Sequence, residues 1–290
     1  MPGSLSLLAL LLLSLSQAQT PQQPASDTPP VTPVQTDFPT DPPLNPNLPT
    51  LFIVGDSTAR NKADLGWGDH FAHLFDTSRI NIANRARAGR SSRTFINEGA
   101  WDAVLKQLKP GDFVLLQMGH NDGGELGGPK PRGTLKGIGP ETQDVPQTAG
   151  PLSGQTETVH TFGWYLRRYI ADTRAKGATP ILLTLTVRNI WTPDSTGKPR
   201  IERDMKGPKP GDKGYDDYIR DLGAAEHVPV IDMATVEADR LEALGQEKSA
   251  ALFPIDHTHT SPEGAELNAE AVAQALRNAH SPVAAFLKPN

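Results

Sequence analysis

Residues 51–60 read LFIVGDSTAR, an apolar run that stops at Gly55 and is followed at once by an acid and a hydroxyl. Gly, Asp and Ser are common turn residues, so a plain turn is the simplest reading. A sharper one is that the turn lifts Ser57 onto the end of a buried strand as a nucleophile. That reading requires partners from elsewhere in the chain.

Four further short apolar runs are bounded by Gly, Pro or Asp: RINIANR (79–85), DFVLLQMG (112–119), PILLTLT (180–186) and VPVID (228–232). Between them lie stretches with helical character: GWGDHFAHLF, EGAWDAVLKQL, TVHTFGWYLRRYIADTRAKG and DKGYDDYIRDLGA. MATVEADRLEALG and SPEGAELNAEAVAQALRNA follow the last run, the second expected to be capped by Ser261 with Pro262 at its first position. Strands alternating with helices predict a parallel sheet covered on both faces. Ligands of such folds sit outside the carboxyl ends of the strands, where Ser57 falls.

The flanks and composition bound the rest. An apolar core from Leu5 to Leu15, broken only by Ser6 and Ser14, with small residues at Ser16 and Ala18, predicts an export signal cut after Ala18, although its start has no Lys or Arg. Residues 19–49 are crowded with proline and are expected to be an extended or disordered linker. It either holds the domain off a surface or is an unselected leader. One domain is expected over 50–290, long enough to bury a full core without disulfides. No later segment is apolar enough to span a membrane, so a secreted or periplasmic protein is expected, as a monomer. The chain has no cysteine, which excludes thiol catalysis, cysteine-ligated zinc and a lipid anchor on an N-terminal cysteine. A net charge of −5 and a pI near 5.9 argue against a nucleic-acid partner.

Four loops at one sheet edge thus carry chemistry: Ser57, Gly89 in ARAGRSSRTF, Asn121 in QMGHND, and Asp256 with His259 in DHTHTSPEGA. Acyl transfer asks for that set. The serine attacks, the histidine accepts its proton, and the aspartate orients the ring. The N–H groups of Ser57 and Gly89 and the Asn121 amide can receive the oxyanion. The bland alternatives are a helix cap for Ser57, a loop cap for Asn121, and a metal cluster made by Asp256, His257 and His259. The Asp-x-x-His pair is better explained by the triad, so no metal and no cofactor is expected. Asp56 suits a buried hydrogen-bonding role that shapes the turn. His120 and His257 read as structural or rim residues, and Trp164, Tyr165 and Tyr169 as core packing.

GDSTAR, ARAGRSSRTF, GHND and DHTHTSPEGA match in order the four blocks of the SGNH (GDSL) hydrolases. Within them the chain most resembles the rhamnogalacturonan acetylesterase branch, through GDST, VHTFGWYLRRYI and TVRNIW. The resemblance covers residues 50–280. It implies a flavodoxin-like three-layer αβα sandwich with a five-stranded parallel sheet and a carbohydrate O-deacetylase acting on acetylated, acidic plant-wall polysaccharide. Carried over by position, Ser57 is the nucleophile, Gly89 and Asn121 complete the oxyanion hole, and Asp256 and His259 complete the triad. Xylan, peptidoglycan or a small lipid ester are the alternative substrates, and an acyltransferase or a non-catalytic carbohydrate-binding relic the alternative classes. Absence of a G-x-S-x-G elbow near any strand end disfavours the α/β-hydrolase fold. The long loop 123–150 departs from compact members and bears on specificity. Trp191 is the candidate sugar contact. Arg60, Arg90, Arg93 and Arg188 lie near the active edge and read either as uronate carboxylate contacts or as ordinary surface salt bridges, with Arg90, Arg93 and Arg188 the candidates for substrate binding.

Overall fold

The computed structural model describes residues 43–289 except 63, 204–205 and 207–211. The expected signal segment and residues 19–42 of the expected linker lie outside the described residues. The end of the proline-rich stretch belongs to the domain: the Asn45 N–H donates to Asn81 Oδ1 at 3.0 Å, and Lys109 Nζ donates to the Leu48 carbonyl at 2.7 Å.

In chain order, β1 (Thr50–Gly55) and β2 (Asn81–Asn84) precede α1 (Ser92–Asn97), α2 (Ala100–Leu105) and β3 (Phe113–Gln117). The hairpin β4 (Thr142–Pro146) and β5 (Thr156–His160) leads into α3 (Phe162–Ala175) and β6 (Thr179–Leu183). A second hairpin, β7 (Trp191–Pro193) and β8 (Pro199–Ile201), precedes α4 (Tyr215–Glu226) and β9 (Val230–Ile231). The chain closes with α5 (Met233–Leu244), α6 (Gln246–Ala251) and α7 (Pro262–Asn278).

The central sheet has five parallel strands in the order β2-β1-β3-β6-β9. This is the flavodoxin-like order, whose switch point lies between β1 and β3. Side chains alternate across it with period two. Phe52, Val54, Val114, Leu116 and Leu182 face a layer containing Phe95, Trp101, Leu166, Tyr169 and Leu222. Leu51, Ile53, Leu115, Ile181 and Leu183 face the other way, onto Trp67, Phe71, Val272 and Leu276. Burial on both faces explains why the strands read as continuous apolar runs rather than alternating ones.

Four stretches differ from expectation, the first being the start of TVHTFGWYLRRYIADTRAKG, where residues 158–160 belong to β5 and α3 begins at Phe162. GWGDHFAHLF forms two short 3₁₀ turns, Trp67–His70 and Ala72–Leu74, instead of an α-helix. Gly66 and Gly68 press so close to Ala59, Arg60 and Asn84 that a Cβ at either would approach to 2.5 Å. ARAGRSSRTF is not all loop, because Ser91 caps α1 with its side chain on the Thr94 N–H. Loop 123–150 is not all loop either, since its end supplies β4. No helix among the described residues is long and apolar enough to cross a membrane.

Candidate active site

The turn after β1 is built from its own polar groups. Asp56 is fully buried. Its Oδ1 accepts from the Thr58 N–H at 2.9 Å, and its carbonyl accepts from the N–H of Ala59 and Arg60 at 3.2 and 3.1 Å. Gln117, at the end of β3, accepts from the Trp67 indole N–H at 2.8 Å and donates to the Thr184 carbonyl at 3.1 Å. These buried bonds fix the ends of β1, β3 and β6 relative to one another and leave Ser57 at the rim.

The C-terminal loop meets that rim. His259 Nε2 lies 2.9 Å from Ser57 Oγ, and His259 Nδ1 lies 2.7 Å from Asp256 Oδ2. The other Asp256 oxygen accepts from the N–H of Thr258 at 2.7 Å and of His259 at 2.8 Å. Burial by itself raises the Asp256 pKa, but the His259 ring and the two backbone donors outweigh it and bring it down to about 2. At neutral pH this carboxylate is therefore only an acceptor, so Nδ1 must carry the ring proton and Nε2 is left to accept from the Ser57 hydroxyl. Ser261 holds the loop onto α7 by accepting from the Gly264 N–H, with Pro262 at the first turn as expected. The His257 carbonyl accepts from the Asn189 N–H at 2.7 Å, tying the loop to the segment after β6.

Donors stand in the neighbouring loops. Gly89 has φ +78°, a left-handed conformation that an L side chain rarely adopts, while a Cβ there would touch nothing within 4 Å. Its identity follows from backbone shape rather than space. Among the described residues, the N–H groups of Ser57 and Gly89 donate to no protein acceptor. Asn121 is 8% exposed, and one of its two amide protons goes to the Arg90 carbonyl at 2.9 Å. The second amide proton remains for a ligand.

The expected cationic contacts separate. Arg93 is a correction: it is 1% exposed and committed within the fold. Its Nε donates to Glu157 Oε1 at 2.8 Å, Nη1 to the Leu126 and Gly133 carbonyls, and Nη2 pairs with Glu157 Oε2. Because α1 forms where a loop was expected, Arg93 turns inward and pins the 123–133 segment to β5. Arg60 is likewise taken, by Asp69 and the Asn84 carbonyl. Arg90 is half-exposed and bridged to Glu98 at 2.7 Å. Arg188 is half-buried with its Nε unpartnered, and burial lowers its pKa against the opposing fields of Glu202, Asp256 and Asp56. Trp191 is half-buried over the Val187, Ile201 and Leu241 cluster and donates its indole N–H to Asn189 at 2.8 Å.

His120 lies 2.9 Å from Thr186 Oγ1, with its pKa lowered by burial, and His257 is exposed beside Thr258 Oγ1. Tyr165 and Tyr169 are core residues, whereas Trp164 is half-buried and stacked on His160 at 3.7 Å. Among the described residues no group of three or more His, Asp or Glu could hold a metal ion.

Two supporting acids escape the sequence reading. Asp122, next to Asn121, is fully buried and accepts from the Ser92 hydroxyl and N–H, locking the Gly89 loop to the Asn121 loop. Burial, only partly offset by Ser92, raises its pKa to about 7. Glu237 on α5 accepts from the Val187 N–H at 2.8 Å and so fixes the segment bearing Arg188; burial raises its pKa to about 8. A signal existed for Glu237: it lies within the spacing of Ala234, Ala238 and Leu241, the buried stripe of α5.

Comparisons with known proteins agree with this geometry. The GDSL-like lipase/acylhydrolase family matches residues 53–267. The rhamnogalacturonan acetylesterase of Emericella nidulans is 32% identical over 78% of this chain and 84% of its own length. Rhamnogalacturonan acetylesterase RhgT of Bacillus subtilis is 31% identical over 80% of this chain and 91% of its own. The crystal structure of YxiM from Bacillus subtilis superposes with a TM-score of 0.59 at 24% identity, over 81% of this chain and 58% of that one. The likeness to YxiM is one of fold. With the family match spanning most of the chain, this protein belongs to the GDSL-like lipase/acylhydrolase family and is a carboxylic ester hydrolase.

Proposed function

We propose that this protein is an exported serine esterase that removes O-acetyl groups from acidic plant-wall polysaccharide of the rhamnogalacturonan type. The observation that carries the reading is the hydrogen-bonded chain Ser57–His259–Asp256 at a sheet edge whose loops also carry N–H groups without a protein acceptor among the described residues. Ser57 Oγ attacks the acetyl carbonyl while His259 Nε2 takes its proton. The N–H groups of Ser57 and Gly89 and the free amide proton of Asn121 receive the developing oxyanion. His259 returns the proton to the departing sugar oxygen, then activates water against the acetyl-enzyme, releasing acetate and restoring Ser57. Trp191 and Arg188 form the substrate-facing rim beyond β6. Arg90 does so beside Gly89.

The polysaccharide assignment is supported by the named activity of the relatives in Emericella and Bacillus. Acetate release by the purified protein from acetylated rhamnogalacturonan, xylan and peptidoglycan tests it. Preference for the pectic polymer is expected, and equal or greater rates on xylan would move the substrate class. Export is supported by the apolar segment 5–15. A secreted form beginning at Gln19 by N-terminal sequencing is the expected result, and retention of Met1 would refute it.

A further inference from the structure

A cavity of about 240 Å³ opens beside Gly89, between α1 and the far side of the 123–150 loop. One wall comes from the Gly89 block and α1, and the other from segments that no active-site block contains, residues 129–132 and 147–152. Its charges do not balance. Of the six charged side chains lining it, Arg90 is bridged to Glu98 and Arg93 to Glu157. Lys130 and Arg132 remain, and among the described residues neither has an acidic partner. Two uncompensated cations thus stand in a concave site next to an oxyanion donor, on a protein whose net charge is −5. Long-range repulsion of a polyanion by such a protein makes local cations the only electrostatic means of holding one.

We infer that this cavity is a uronate subsite, which takes a carboxylated sugar of the bound polysaccharide and meets its carboxylate with Lys130 and Arg132. The inference rests on the functional reading above and names the part of the protein that selects an acidic backbone. Arg132 offers the planar fork that suits a carboxylate, and Lys130 a point charge. Pro129, Pro131 and Leu152 give the apolar surface that the C–H face of a sugar ring packs against. The role assigned to the buried Arg93 at the sequence level passes to these two residues. Arg93 instead holds the wall on which they stand.

Inhibition of p-nitrophenyl acetate hydrolysis tests the inference without requiring that pectin be the substrate. Two inhibitors are compared: a deacetylated rhamnogalacturonan oligosaccharide, and the same oligosaccharide with its carboxyl groups reduced to alcohols. Wild-type protein should be inhibited at roughly 2- to 30-fold lower concentration by the carboxylated form, the span expected of two exposed ion pairs. That preference should vanish in the Lys130→Gln/Arg132→Gln variant, and in wild-type protein it should shrink as salt is raised and the pairs are screened. Equal inhibition by the two oligosaccharides in wild-type protein would overturn the inference. So would a preference that persists unchanged in the variant. A carboxylate preference without acetate release from the acetylated polymer would retire the functional reading and leave the subsite standing. Release from the polymer without a preference would do the reverse.

Discussion

Replacing Asp256 by Asn changes few atoms and poses a problem the loop cannot solve. The carboxylate serves three donors, with Oδ2 on His259 Nδ1 and Oδ1 on the N–H groups of Thr258 and His259. An amide offers one acceptor oxygen and one NH₂. With its oxygen left on the two backbone donors, the NH₂ faces Nδ1, which must then accept. The ring proton moves to Nε2, and His259 can no longer take the proton of Ser57. With the amide flipped, its NH₂ meets two backbone N–H groups and the loop loses the bonds that shape it. The first arrangement keeps both backbone bonds and is the one expected, and it should lower kcat by roughly 10⁴, the loss known for forcing the wrong tautomer on a catalytic histidine. Stability should change by only about 1 kcal/mol or less, because the Asp256 side chain is 42% exposed. Initial rates on p-nitrophenyl acetate with a thermal melt of the same preparation separate the two effects. A fall in kcat below about tenfold, or a change confined to KM, would refute the reasoning.

Ser57→Ala and His259→Ala should each lower kcat by roughly 10⁴–10⁶, and the double variant should be no worse than either; additive losses in the same assay would mean the two do not act as a unit. Asn121→Ala should lower kcat by roughly 10²–10³. It should also cost about 1 kcal/mol in a denaturant melt, since the bond to the Arg90 carbonyl goes with it; loss of stability without loss of kcat would make Asn121 a brace only. Glu237 has its folded pKa raised to about 8 from an unfolded value near 4.5, so the folded protein binds the extra proton between those values. Its stabilising effect is complete below the unfolded value and lost as pH rises through about 8. Melting temperature should fall over that window, and Glu237→Gln should flatten the fall; an unchanged slope would count against a protonated Glu237.

The sheet was legible because strands buried on both faces leave unbroken apolar runs, and all five stand where LFIVG and its counterparts predict them. The placement of Ser57, Gly89 and Asn121 after β1, β2 and β3 was legible because strand-end loops of a parallel sheet converge on one edge, whereas Asp256 and His259 lie between α6 and α7 and were legible from the Asp-x-x-His spacing. The hairpins were not. In β4, TQDVP buries only Val145, and its partner lies beyond a nine-residue connection, residues 147–155, without a tight-turn signal. Prolines 193 and 199 mask the strand character of β7 and β8. Arg93 misled for a related reason: sequence locates an arginine near the edge, but only packing decides that its guanidinium turns to Glu157. Buried acids such as Asp122 and Glu237 are read from a sequence as surface charges, and tertiary contacts alone give them their backbone partners.

The central claim is that Ser57 is a nucleophile activated by His259. A fluorophosphonate reagent reports this directly, since it reacts with activated serines and leaves ordinary hydroxyls alone. Peptide mapping of the inactivated protein should find one adduct per chain, on Ser57, growing in step with the loss of esterase activity and absent from His259→Ala. Labelling at a different residue, or full activity in protein fully labelled at Ser57, would contradict the account.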